Sequence, residues 1–278
     1  MTSSPSAKPF DWRNLGLRAA STAILAPAVV GIVWWGGWAF VGLAIAASAL
    51  LTVEWGQMSA PKSPIRTALT MGLATLVAAV LAGLGEYGYA WLALAVGAVA
   101  AAVVTRLRKL GERPADAAFG VIYVGAPLIA LIWLRVAPSG LAWTLMLLAI
   151  TWGADIAAFA AGSTLKGPKL WPRISPNKTW SGFIAGLIAA AAAGASMAAL
   201  SNGPVSPTLI WASLIGLAGG LATMAGDLLE SMMKRRFGVK DSGQLIPGHG
   251  GLLDRVDGLM IAVLVIAATR FVAGGVVR

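Results

Sequence analysis

The sequence predicts an all-α, polytopic integral membrane protein of about nine transmembrane helices with its N-terminus in the cytoplasm, on three observations. Apolar runs long enough to cross a hydrocarbon core of about 30 Å as helices recur along the 278 residues. Hydrophobic residues make up 58% of the chain and charged residues 12%, which leaves too little polar surface for a water-soluble globule. The basic residues sort onto one side of those runs, as the positive-inside rule demands. A barrel is excluded because its strands would alternate apolar and polar residues, whereas these runs are continuous.

In the first run, 17–35, Arg18 is followed by a long apolar stretch through Val33, with Trp34, Trp35 and Trp38 after it, which reads as a retained span with an interfacial aromatic anchor. The second, 37–55, is apolar except for Glu54, which with Trp55 reads as an interfacial residue near the inner end. The third to fifth, 66–84, 88–105 and 118–136, carry few polar groups, so residues 1–140 read as a scaffold in contact with membrane lipids. The sixth, 140–162, holds Asp155 within TWGAD, and a polar loop, KGPKLWPRISPNKTWSG, leads on to the seventh, 179–200. Small residues between Ala185 and Ala199 allow close backbone approach, which replaces the hydrophobic drive that lipid cannot supply. The eighth, 208–230, contains Asp227 and Glu230, and the ninth is 257–276. Residues 141–278 therefore read as the catalytic region.

With the N-terminus inside, the arm carrying Lys8, Arg13 and Arg18 and the later inner loops together hold 18 of the 21 basic residues; Arg135, Arg270 and Arg278 are the exceptions. The formal net charge of +10 thus belongs to the cytoplasmic face of the cell's inner (plasma) membrane, where it suits anionic headgroups or nucleotide phosphates. Nucleic acid is not an expected partner, because the positive charges are divided among short loops. The absence of cysteine excludes disulfides and thiolate chemistry. No GxxxxGK[ST] loop and no strand-borne glycine fingerprint occurs, so neither P-loop nor dinucleotide-binding chemistry is indicated.

The chemistry concentrates in Ser231–Asp257, SMMKRRFGVKDSGQLIPGHGGLLDRVD, between two apolar runs. Charge in hydrocarbon costs roughly 2.5 to 3.5 kcal/mol per residue, so these groups must lie at an aqueous edge or pair with one another. Asp254 and Asp257 are three apart and share a helical face at a positively polarised helix start, and Asp227 can approach them from the preceding span. Carboxylates without cysteine point to a hard cation such as Mg²⁺. Lys234, Arg235 and Lys240, between the two spans, and Lys178 interleave with these acids; an anionic substrate bridging metal and cations would neutralise both sets. Arg236 reads as ordinary surface charge.

Gly248, Gly250 and Gly251 flank His249, the only histidine, in a turn whose backbone N–H groups can approach phosphate. His249 suits phosphate contact, a metal's outer shell or acid–base work. Ser175, Lys178 and Thr179 resemble a phosphate-contacting turn that opens the seventh span, and also a helix cap.

The pattern Ser231, Lys234, Arg235, Lys240, Asp241, Pro247 to Gly251, Asp254, Arg255 and Asp257 resembles the signature of the phosphatidate cytidylyltransferases, or CDP-diacylglycerol synthases. The resemblance extends through Gly226–Ser231, ISPNKTWSG and Trp152–Asp155, and so covers roughly residues 150 to 260. Ile156, Gly162-Ser163 and Ser181 depart from the family's usual residues. The resemblance implies that CTP and phosphatidate react to give CDP-diacylglycerol and pyrophosphate with a divalent metal. Asp227, Asp254 and Asp257 would hold metal, and Lys178, Lys234, Arg235, Lys240 and His249 would contact phosphates. Asp241 would pair with Lys240 or the metal, and Ser231 and Arg255 belong to the substrate site. The carboxylate count admits two metal ions, one of which could be monovalent. A homodimer is a family expectation only. The rival readings are a CTP-dependent transferase acting on another lipid phosphate and, less well supported, a transporter of phosphorylated solutes, whose polar groups would instead line a path across the membrane.

Overall fold

The computed structural model describes residues 12–202, 207–243 and 250–276. Nine helices form among them: α1 (Trp12–Trp35), α2 (Gly37–Ser59), α3 (Pro64–Gly83), α4 (Tyr87–Arg108), α5 (Pro114–Val136), α6 (Gly140–Thr164), α7 (Trp180–Asn202), α8 (Pro207–Arg236) and α9 (Leu253–Val276). Each falls where an apolar run was predicted. Seven of them, α2 to α8, are long and apolar enough to cross a membrane by length and composition. α1 contributes a shorter apolar stretch, Ala23–Trp35, and α9 carries Asp254, Arg255, Asp257 and Arg270 along its length. Large apolar side chains such as Leu69, Leu73, Val96, Val99, Ile184 and Ile188 face outward, a surface suited to lipid and not to water.

α5 is the central helix: 72% of its most apolar window is buried, a larger share than in any other of the seven. It packs on α2, α3 and α4 on one side and on α6 and α9 on the other. The first group closes around Trp55, Met71, Leu94, Val121 and Ile129, the second around Leu134, Leu147, Ile150, Val263 and Ile266. α6, α7 and α8 meet through small residues. A Cβ on Gly186 would lie 3.0 Å from the Ala154 carbonyl oxygen, and Gly194 stands directly against Ala212 and Gly216, so larger residues would push these helices apart.

Two corrections to the sequence reading concern the polar segments. The loop between α6 and α7 contains a two-stranded antiparallel ribbon, β1 (Lys169–Trp171) with β2 (Ser175–Thr179), pairing Lys169 with Thr179 and Trp171 with Ser175. Pro172 and Pro176 disfavour helix here, and the extended pairing satisfies backbone groups in its place. α8 also continues six residues past the predicted end at 230 and reaches Arg236, so Ser231, Lys234 and Arg235 lie on helix and not in a loop. Basic residues in a last helical turn complement its negative pole, and Glu230 pairs with Lys234 one turn on.

Two of the arginines that break the charge asymmetry have local partners. Arg135 donates to the carbonyls of Val33 (2.7 Å) and Trp34 (3.1 Å) at the end of α1. Arg270 donates to the carbonyls of Leu134 (2.8 Å) and Pro138 at the end of α5 and lies over the rings of Trp133 and Trp143. Both satisfy helix-end carbonyls that no residue further along the helix can reach.

Candidate active site

The site assembles where α8 and α9 cross in backbone contact. Gly226 and Gly258 make the crossing possible: a Cβ on Gly226 would lie 3.0 Å from the Gly258 Cα, and one on Gly258 would lie 2.9 Å from the Thr223 carbonyl oxygen. Each glycine is chain neighbour to an aspartate, so the contact brings Asp227 and Asp257 to the same seam. Asp257 accepts a 2.7 Å hydrogen bond from the Gly258 N–H. Asp227 is 40% exposed and forms a 2.5 Å ion pair with Lys178, delivered by β2. Lys178 thus reaches the seam from the ribbon between α6 and α7, and Asp155 lies on α6, which packs on both α8 and α9. Gly226→Ala is accordingly expected to prise α8 from α9 and cost at least tenfold in turnover while helix content stays intact, which an assay beside circular dichroism would check.

One turn further along α8 a second cluster forms. Lys234 Nζ lies 2.6 Å from Glu230 Oε2 and 2.7 Å from Asp254 Oδ1. Asp254, in the first turn of α9, also accepts from the N–H groups of Ser242 (3.2 Å) and Gly251 (3.1 Å). Asp254 and Asp257, three apart, thus serve adjacent clusters. Glu230 Oε1 and the Tyr123 hydroxyl of α5 are buried here without a hydrogen-bond partner among the described residues.

Beside these clusters opens a polar cavity of about 250 Å³. The ribbon segment contributes Ile174, Ser175, Pro176 and Asn177; α8 and the segment after it contribute Ser231, Lys234, Arg235, Lys240 and Asp241. Six residues singled out in the sequence, from two stretches more than fifty positions apart, therefore wall one space: Ser175, Ser231, Lys234, Arg235, Lys240 and Asp241. Five cationic or hydroxyl groups, Ser175, Ser231, Lys234, Arg235 and Lys240, facing a single concavity suit a polyanion.

The family model described as the Cytidylyltransferase family matches residues 16–273. The chain belongs to the cytidylyltransferase family. It is 37% identical over 251 residues to the phosphatidate cytidylyltransferase of Brucella suis biovar 1 (strain 1330), a match covering 90% of each protein. It is also 35% identical over 156 residues to that of Rickettsia conorii (strain ATCC VR-613 / Malish 7), covering 54% of this chain and 67% of the relative. The enzyme of the same name from Rickettsia bellii (strain RML369-C) is 38% identical over 147 residues, or 51% of this chain and 63% of the relative.

Within this cytidylyltransferase the remaining predicted residues take distinct places. Thr179 is buried immediately before α7, where its Oγ1 accepts from the Gly182 N–H at 3.2 Å and meets Ser181 Oγ at 3.0 Å, the geometry of an N-cap. Gly250 adopts a φ of +87°, a left-handed backbone that glycine tolerates best. Gly251 leaves room for Ser242 and Glu54 and donates to Asp254. Arg255 is exposed on the first turn of α9. Gly248 and His249 lie outside the described residues.

Three groups escaped the sequence reading of the site. Arg236 is not free surface charge: it forms an ion pair with the buried Asp116 at the start of α5, whose backbone carbonyl takes a 3.0 Å bond from Trp55 Nε1. Glu230 was legible from its i, i+4 spacing to Lys234. Glu54 is wholly buried, against the expectation of an interfacial residue.

The donor set fits a hard cation. At the α8–α9 seam two carboxylates, Asp227 and Asp257, are accompanied by one ion-paired cation, Lys178, an imbalance that a divalent ion would offset. Among the described residues no three acidic or histidine side chains converge on one point. Mg²⁺ is commonly held in that way, by one or two carboxylates completed by water and substrate phosphate.

Proposed function

We propose that this chain is a phosphatidate cytidylyltransferase, which joins CTP to phosphatidate and releases pyrophosphate. The observation that carries this is the cationic cavity walled by Lys234, Arg235 and Lys240, whose ribbon wall continues into Lys178 and its ion pair with Asp227. Triphosphate charge and carboxylate charge are thereby served within one short span of protein.

A phosphate oxygen of phosphatidate forms a bond to the α-phosphorus of CTP, and the bond from that phosphorus to the β-phosphate oxygen breaks, with pyrophosphate leaving on the electron pair. A phosphate monoester has a second pKa near 6, so the attacking group is already largely ionised at neutral pH. No strong general base is required. Lys234, Arg235 and Lys240 bind the triphosphate and hold the leaving group in line, which places their charge where it builds up as the bond breaks. Lys178, tied to Asp227, stands between the ribbon wall and the carboxylates and orients the transferring phosphoryl group. Asp227 and Asp257 would hold Mg²⁺, whose contribution is neutralisation of charge on the phosphoryl oxygens. By the positive-inside asymmetry the site faces the cytoplasm of the plasma membrane, where CTP is available.

The test is pyrophosphate release by purified, detergent-solubilised protein given phosphatidate, CTP and Mg²⁺, with each component omitted in turn. Release requiring all three, with CDP-diacylglycerol formed, is the expected result. Turnover only with a different lipid phosphate would keep the site and replace the acceptor, and silence from folded protein with every acceptor would overturn the proposal.

A further inference from the structure

We propose that Glu54 is a positioning residue for this reaction: from α2 it pins the segment after α8 to the start of α9, and through Asp254 it fixes Lys234 in the cavity wall. The inference rests on reading that cavity as the nucleotide site. Glu54 is 0% exposed, and among the described residues no cation pairs with it. Its Oε1 accepts from the Leu252 N–H at 2.7 Å, while its Oε2 accepts from the Leu253 N–H at 2.7 Å and from Ser242 Oγ at 3.2 Å. The two backbone bonds have the length of charge-assisted ones, and they engage N–H groups at the opening of α9 that no helical partner can take.

The fit around the carboxylate is specific. A Cβ on Gly243 would approach Glu54 Oε1 to 3.1 Å, and one on Gly251 would approach both carboxylate oxygens to 2.9 Å. Glycine at both positions lets the two ends of the segment close on one side chain.

Asp254 grips the same two ends from the other side, accepting from the N–H groups of Ser242 and Gly251, and its Oδ1 holds Lys234. The path runs from Glu54 through Ser242 and Gly251–Leu253 to Asp254 and then to Lys234, with Lys240 and Asp241 immediately before Ser242. None of the residues hydrogen-bonded to Glu54, Ser242, Leu252 and Leu253, lines the cavity. Loosening this pin lowers the fraction of molecules whose cationic wall is ordered. CTP must then supply the ordering, which raises its apparent dissociation constant by that fraction and leaves the saturated enzyme nearly intact.

Full-length Glu54→Gln keeps the shape but turns an acceptor oxygen into a donor facing a backbone N–H. The expected result is a KM for CTP raised about tenfold, the order set by one charge-assisted hydrogen bond, with kcat within about threefold and the KM for phosphatidate unchanged. Hydrogen exchange read by mass spectrometry should quicken in peptides covering residues 250–256 and stay unchanged in α5. Should Glu54→Gln fail to fold, Ser242→Ala removes one bond of the pin and should raise the same KM by about threefold. Unaltered exchange at 250–256 in a folded variant overturns the pin. Faster exchange with both kinetic constants at wild-type values, or a loss confined to kcat, overturns the positioning role. A wild-type protein that transfers no cytidylyl group sinks the functional reading instead, and the exchange measurement still decides whether Glu54 pins the segment.

Discussion

Replacing Asp257 by asparagine is expected to abolish measurable transfer while the protein still inserts and folds. The substitution preserves side-chain volume and the oxygen that accepts from the Gly258 N–H, so the α8–α9 crossing should survive. What changes is the capacity to carry charge: the carboxylate that shares the seam with Asp227 becomes a neutral amide, and the site's grip on a divalent cation weakens. Loss of several kcal/mol of transition-state stabilisation corresponds to roughly a thousandfold in rate. Turnover should be measured across a wide Mg²⁺ range, since a weakened metal site is partly rescued at high concentration whereas a collapsed one is not. Lys62→Ala provides the comparison: among the described residues Lys62 is hydrogen-bonded to the Leu110 carbonyl, 2.8 Å away on an exposed loop, and near-normal activity is expected. Near-normal activity of Asp257→Asn would remove the aspartate from the metal site, and a large loss in Lys62→Ala would mean that the site is misplaced.

The contrast between Asp257 and Glu54 shows what a sequence of this kind discloses. An acid inside or beside a long apolar run announces itself, because hydrocarbon makes it costly and something must compensate it. Asp227 and Asp257 were legible on that ground, and the helix positions were legible because lipid requires about twenty consecutive apolar residues. Glu54 was visible as an acid but its purpose was not, since its partners are a hydroxyl and two backbone N–H groups 188 to 199 positions away. Backbone donors leave no trace in residue identity. The same blindness applies to the ribbon, where pairing of Lys169 with Thr179 depends on a partner strand and not on composition. The end of α8 was misplaced for a different reason: hydropathy falls at Ser231, but lysine and arginine are good helix formers and the helix continues into water. Arg236 looked like surface charge because its acid, Asp116, is 120 residues earlier on α5.

Lys234→Met should damage stability and catalysis together, and the two losses can be separated. Lys234 is 14% exposed and faces two carboxylates that are also largely buried, Glu230 at 2% and Asp254 at 13%. Removing the cation leaves like charges confronting each other away from water, a change that typically costs about 3–5 kcal/mol. The thermal midpoint in detergent should fall by several degrees, and CTP turnover should fall more than the folded fraction does. Adding Glu230→Met takes away the more deeply buried of the stranded acids and leaves Asp254 with its backbone donors from Ser242 and Gly251. A buried pair replaced on both sides by apolar groups is often neutral for stability, so the double variant should regain much of its midpoint. It should not regain activity, because the cavity still lacks the cation that meets the triphosphate beside Arg235 and Lys240. Recovery of both would show that Lys234 serves only to balance Glu230 and Asp254. Recovery of neither would show that Glu230 itself is needed, and its buried Oε1, without a partner among the described residues, makes it the next residue to test.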